Sequence, residues 1–300
     1  MNDIERAAAY RSVLEVCNST AGREGAGFSI LRPFPTSSLS YVDPFLLLDH
    51  MQPIPLKPGE AKGAPDHPHR GFETVTYLLE GAMEHRDSAG NYGRLTAGDV
   101  QWMTAGAGVV HSEMPAPELL QHGGVLHGFQ VWVDLPAALK MSAPRYQDLS
   151  SDKIPVAVSA DGLTEVKVIA GESLGVKAPT RTHTPITFLH IKMAAGAVFT
   201  QPLATGQNAL VYIISGAGRF CPGAEIVEGT GKMVRFARED RSLYLENAGA
   251  DDRLDLLVLA GQPLNQPVAR YGPFVMNSEA EIEQALVDFR SGRMGQIAGG

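Results

Sequence analysis

Two hexapeptides occur twice in this chain, in the same order. Thr76-Tyr77-Leu78-Leu79-Glu80-Gly81 is echoed by Val211-Tyr212-Ile213-Ile214-Ser215-Gly216. Gly98-Asp99-Val100-Gln101-Trp102-Met103 is echoed by Gly231-Lys232-Met233-Val234-Arg235-Phe236. Each is rich in β-branched, aliphatic or aromatic residues and begins or ends on glycine, as a strand meeting a turn does. An ordered duplication of this kind points to two similar β-rich modules. A chain of 300 residues is long enough to bury two cores. The Pro-, Ser- and Lys-bearing stretch Leu135–Pro155 is the natural place for the join. We therefore expect one module over 1–140 and another over 141–300.

Within the first module, Val13–Val16, Phe28–Leu31, Thr74–Leu79, Val100–Met103 and Val125–Asp134 read as strands. Phe45–Leu48 reads as a short buried segment. Gln52–Pro65 holds Pro53, Pro55, Pro58 and Pro65, and is expected to break regular structure. In the second module, strands are expected at Glu165–Ala170, Thr187–Met193, Leu210–Ile214, Lys232–Phe236 and Leu254–Leu259. A helix closes the chain. Ser278 is its cap, with Glu281 three residues on. Ile282, Ala285, Leu286 and Phe289 form an apolar stripe at helical spacing, and Gly292 ends it.

The chemistry-bearing residues cluster between Asp66 and Met114. His67 and His69 are spaced i, i+2, and so are His111 and Glu113. On extended backbone such pairs share a face, so each pair can aim at one point. One His-x-His is commonly a solvated loop, and a lone glutamate a solvated carboxylate. Two same-face pairs separated by strand and turn patterning can make a four-ligand N/O site for one divalent ion. Pro68 fixes φ and lacks an N–H, so this segment belongs at a sheet edge. Gly106 and Gly108 give the turn before His111 its freedom. His127 is a candidate further ligand or pocket residue, against a plainer role in the core.

Extending the repeat outward sets Pro202 and Ala204 opposite His67 and His69, and Tyr244 and Glu246 opposite His111 and Glu113. One carboxylate does not hold a metal, so the second module is expected to lack one. His183 and His190 there read as structural.

Three imidazoles and a carboxylate, without thiolate, suit Fe(II), Mn, Ni, Cu or Zn. Such a set leaves about two octahedral positions open for substrate or dioxygen. A net charge of −8 argues against non-specific nucleic-acid binding, which relies on cationic phosphate contacts. Two cysteines, Cys17 and Cys221, make no disulfide framework. The N-terminus shows no secretory pattern, and apolar runs are too short to span a bilayer. A cytoplasmic location is expected, with no direct nucleic-acid or membrane partner.

The segment DHPHRGFETVTYLLEG (66–81) followed by GDVQWMTAGAGVVHSEMP (98–115) resembles the pirin family, a branch of the cupin superfamily. DPFLLLDH (43–50), HGFQVWVDLP (127–136) and YGPFVMNSEAEIEQA (271–285) extend the likeness from Asp43 to the C-terminal helix. The resemblance implies an all-β bicupin: two tandem double-stranded β-helix (jelly-roll) barrels with a C-terminal helix. It implies iron in the N-terminal barrel, held at positions that fall on His67, His69, His111 and Glu113. Most cupins use instead a glutamate soon after His-x-His, here Glu73, which stays a lesser candidate. Pirins are associated with quercetin 2,3-dioxygenase activity. The resemblance thus implies a flavonol-like substrate and O2, with Glu113 as the proton-accepting catalytic group. It also implies an alternative, an iron-dependent regulator without catalysis, acting through protein partners such as transcription machinery or metabolic enzymes.

Overall fold

The computed structural model describes residues 9–250 and 253–297. The first eight residues, on which part of the leader reading falls, lie outside them. The chain forms two compact units, and neither is continuous in sequence. One joins 21–151 to the segment from Leu264 onward; the other joins 152–263 to the N-terminal residues through Thr20. This differs from the expected 1–140 and 141–300. The join at 151/152 lies inside Leu135–Pro155 as anticipated, but residues 9–20 group with the second module and residues 264–297 with the first.

Strand β1 (Val13–Asn18) is part of the second unit, pairing there in the main sheet. The first unit contains β2 (Thr20–Glu24) from its second residue on, with β3 (Phe28–Phe34), β4 (Phe45–Leu56), β5 (Ala64–His69), β6 (Phe72–Glu80), β7 (Ala82–Asp87) and β8 (Tyr92–Thr96). It continues through β9 (Val100–Thr104), β10 (Val109–Pro115), a short helix α1 (Pro117–His122), β11 (Gly124–Asp134) and β12 (Arg145–Leu149). Seven strands order as β12-β9-β6-β11-β4-β3-β2, and four as β5-β10-β7-β8. The two sheets form a cupin barrel. Phe45–Leu48 proves to be the start of a twelve-residue strand that runs through Pro53 and Pro55. Its pairing with β3 ends at Met51, while β11 stays alongside to Leu56. A strand with one partner tolerates prolines that a central strand would not.

The second unit repeats the plan with β13 (Val156–Val158), β14 (Thr164–Ala170), the pair β15 (Glu172–Ser173) and β16 (Val176–Lys177), β17 (Ile186–Met193) and β18 (Val198–Gln201). Then follow β19 (Asn208–Ser215), β20 (Ala217–Arg219), β21 (Val227–Glu228), β22 (Lys232–Phe236), β23 (Leu243–Asn247) and β24 (Leu254–Gly261). Its sheets order as β1-β22-β19-β24-β17-β14-β13 and β18-β23-β20-β21. The duplicated hexapeptides fall on β6 and β9, and on β19 and β22. They pair in one register: Thr76 faces Gln101 and Tyr77 faces Val100, as Val211 faces Val234 and Tyr212 faces Met233. The interior of the second barrel is apolar, with Leu189, Ile191, Val211, Val234 and Val258 fully buried.

The C-terminal segment adds a hairpin, β25 (Ala269–Tyr271) and β26 (Phe274–Met276), and helix α2 (Glu279–Arg290), all in the first unit. Ser278 Oγ accepts from the Glu281 N–H at 3.4 Å and donates to Glu281 Oε2 at 2.9 Å, the expected cap. Ile282 and Ala285 bury against Phe274, Met276 and Val110. Phe289, expected on that apolar face, is instead 39% exposed. Asp288 takes part in the contact through Arg70, whose Nη1 donates to its Oδ2 at 2.7 Å. Gly71, beside Arg70, needs its bare Cα: a Cβ would stand 1.9 Å from the Val275 carbonyl, and its φ is +90°. No described helix is long and apolar enough to cross a membrane.

Candidate metal centre

β5 and β10 run antiparallel side by side, and His67 lies directly opposite His111. His69, two residues along β5, shares the face of His67. The three rings converge: centroids are 4.4 Å apart for His67–His111, 4.7 Å for His67–His69 and 4.9 Å for His69–His111. The ligand-competent nitrogens lie within 4.8 Å of one another. Two Nε2 atoms, of His67 and His69, approach to 3.1 Å. Glu113, two residues beyond His111, brings Oε2 to 4.0 Å from His111 Nε2. A register shift between His111 and Glu113 kinks the pairing with β5 here. β5 is the edge strand of its sheet, which is where Pro68 fits.

Electrostatics favours neutral rings. Burial, followed by the neighbouring imidazoles, pushes His69 and His111 well below the ordinary histidine range. Their nitrogen lone pairs are therefore free of competing protons at neutral pH. His67 Nδ1 stands 2.7 Å from the Pro65 carbonyl. With Nδ1 as donor, the Nε2 lone pair points into the cluster. His111 is fully buried, and neither ring nitrogen has a hydrogen-bond partner. A buried polar atom left so is costly unless something else engages it. A divalent cation fits that description: three imidazoles and a carboxylate, without sulfur, form an N/O donor set for a first-row metal.

The carboxylate is held from behind. Thr76 Oγ1 donates to Glu113 Oε1 at 2.9 Å and reaches Gln130 Oε1 at 2.7 Å. A cavity of about 570 Å³ opens in front of His67, His69 and Glu113. Its apolar wall includes Trp132, Leu47, Met51, Met83 and Phe28. Trp132 meets the His69 ring edge-on, with centroids 5.2 Å apart. Opposite charges line it too: Asp49 receives Arg32 Nε at 2.6 Å and Nη2 at 2.5 Å. Burial nonetheless lifts the Asp49 carboxyl to about 6.

The lesser candidates lie elsewhere. Glu73 is buried and accepts from Thr104 Oγ1 at 2.7 Å. His127 pairs with His50, Nε2 to Nε2 at 2.9 Å, rather than joining the triad. In the second unit, His190 bonds Asp255 Oδ1 at 2.6 Å. The strand register also revises the outward alignment. Thr200, not Pro202, lies opposite Tyr244 as His67 lies opposite His111. Glu246, the counterpart of Glu113, binds Arg219 Nη1 at 2.5 Å and Tyr244 Oη at 2.6 Å. Sequence reasoning missed Thr76, Gln130, Trp132 and Arg270 around the site, and buried His85, the Cα partner of Glu113 across β7 and β10. The first three alternate on β6 and β11, so inward-facing polar residues on apolar strands were the available signal.

Comparison with known proteins follows the same lines. Residues 27–133 match the family model described as Pirin, and 188–295 that of the Pirin C-terminal cupin domain. Mouse pirin is 42% identical over 273 residues, spanning 91% of this chain and 90% of that protein. Pirin-like protein 2 of Arabidopsis thaliana is 40% identical over 288 residues, spanning 95% and 86%. A crystal structure of quercetin 2,3-dioxygenase from Acinetobacter baumannii superposes with a TM-score of 0.89 at 37% identity, covering 96% of this chain and 100% of that one.

Proposed function

The chain belongs to the pirin family, and on that premise we propose a metal-dependent dioxygenase of the quercetin 2,3-dioxygenase type. Its substrates are flavonol-like aromatics and O2, and it works in the cytoplasm. His67, His69, His111 and Glu113 hold one divalent metal, with Fe(II) the leading candidate and Mn, Ni, Cu or Zn compatible with the donors. The observation that carries this reading is the convergence of three imidazoles on one point, two of them, His67 and His69, lining a largely apolar cavity with Glu113.

When bound, the metal supplies Lewis acidity that eases ionisation of a flavonol hydroxyl, and redox access to dioxygen. The remaining work falls to the chain. Glu113 Oε2 is the proton acceptor for the flavonol 3-hydroxyl. Thr76 keeps Oε1 occupied at 2.9 Å, so the carboxylate presents its other oxygen. Trp132, Leu47 and Met51 offer the planar substrate an apolar wall and keep water from the ionised ring. β5 and β10, paired directly, hold the imidazoles before substrate arrives, which limits reorganisation on binding.

Oxygen uptake and carbon monoxide release, measured on iron-loaded protein with quercetin, test the reading. Uptake that depends on quercetin is expected, and His111→Ala should abolish both turnover and bound metal. No uptake with iron or any other first-row metal would leave the non-catalytic regulator as the better account.

A further inference from the structure

Arg270 lines the cavity without a carboxylate of its own. It lies on β25, which the C-terminal segment adds to the first unit. Its guanidinium carbon sits 4.8 Å from the centre of the Trp132 ring. That ring in turn meets His69 edge-on at 5.2 Å, so the charge stands two ring contacts from the imidazole cluster. The acids that could neutralise it are engaged by another arginine. Arg32 forks onto both oxygens of Asp49 and also binds Glu24 Oε1. Among the described residues Arg270 has no ion pair; its hydrogen bond is a long one, Nη1 to the Leu46 carbonyl at 3.4 Å. Most of its five N–H donors are therefore uncommitted. Burial, and then Arg32, push its pKa down, and the nearby Asp49 and Glu24 carboxylates offset this only in part.

A planar guanidinium fixed on an indole and facing a cavity matches a carboxylate bidentately. Asp66, the neighbour of His67, also lines the cavity and disfavours an anion at its own edge. Selection for negative charge thus acts at the Arg270 edge. We propose that this site takes planar aromatic acids: the hydroxyl end faces the imidazole cluster, Trp132 holds the ring, and Arg270 binds a carboxylate at the far end. This rests on the metal-centre reading above and narrows its substrate class from neutral flavonols to anionic ones.

Anaerobic calorimetry on Fe(II)-loaded protein separates binding from turnover. The probes are 3-hydroxyflavone and its 4′-carboxylate. We expect the carboxylate to bind about tenfold more tightly, the scale of a charged hydrogen-bonded contact. Arg270→Gln should bring the ratio of the two dissociation constants near one, and Arg270→Lys, which keeps the charge without the fork, should retain part of it. Equal affinities in the parent protein, no binding of the carboxylate, or a ratio unchanged in Arg270→Gln would each overturn the assignment. An Arg270-dependent ratio with no oxygen uptake on admitting air would support it while overturning the dioxygenase reading alone.

Discussion

The two barrels share a backbone plan and differ in the side chains it carries, along one row of the larger sheet as well as at the imidazoles. In the first, Asp49, Gln130, Thr76 and Gln101 stand opposite one another across β4, β11, β6 and β9. In the second, the same row across β17, β24, β19 and β22 is Leu189, Val258, Val211 and Val234. The flanking ring follows suit: Trp132 opposes Thr74, where Ala260 opposes Ala209. Pairing and register therefore do not distinguish a site from a core. The first barrel accepts the cost of buried polar groups and couples them to one another and to Glu113. The second buries hydrocarbon, and its one retained carboxylate, Glu246, is tied to Arg219 and Tyr244.

Exchanging the rows is the sharpest way to break this comparison. Thr76→Val with Gln130→Val gives the first barrel the second's lining. The imidazoles are untouched, so metal content should persist while turnover falls by about 10–100-fold, the usual effect of removing the group that supports a ligand. Metal analysis and steady-state rates on one preparation decide it; unchanged turnover would mean the polar row does not serve Glu113.

A second difference is the C-terminal segment, which belongs to the first unit and is held by Arg70, Arg293 and Gln284 on Asp288. Those hydrogen bonds depress the Asp288 carboxyl to about 2. Asp288→Asn leaves buried Arg70 without its counter-charge and should cost about 3 kcal/mol in denaturant unfolding at neutral pH. A depressed folded-state pKa gives stability that is present above the unfolded value and lost as pH falls. The gap between parent and variant should therefore close between about pH 4 and pH 2. The smallest effect is the converse exchange in the second barrel. Val211→Thr buries a hydroxyl in hydrocarbon and should lower stability by about 1–2 kcal/mol, with no metal gained.

Much of this was legible in the sequence because the signals are local. Period-two alternation and glycine punctuation marked β6, β9, β11, β19 and β22, and i, i+2 spacing marked His67 with His69. What failed was non-local. Nothing within the run from Gln52 to Pro55 shows that β11 lies alongside while β3 has ended, so β4 read as too short. The repeat, aligned without strand pairing, slipped by two residues and put Pro202 where register places Thr200. Arg270 lies about 200 residues from His69 in sequence, and no periodicity connects the two. Such partners are chosen by the closed barrel, not by the segment that supplies them.

The central claim is that the polar barrel, and it alone, holds a metal on four side chains. Crystals grown with Fe(II) and measured at the iron absorption edge test it directly. The account predicts one anomalous peak per chain, among the imidazoles of His67, His69 and His111 and beside Glu113. No peak there, or one of equal height within the second barrel, would contradict it.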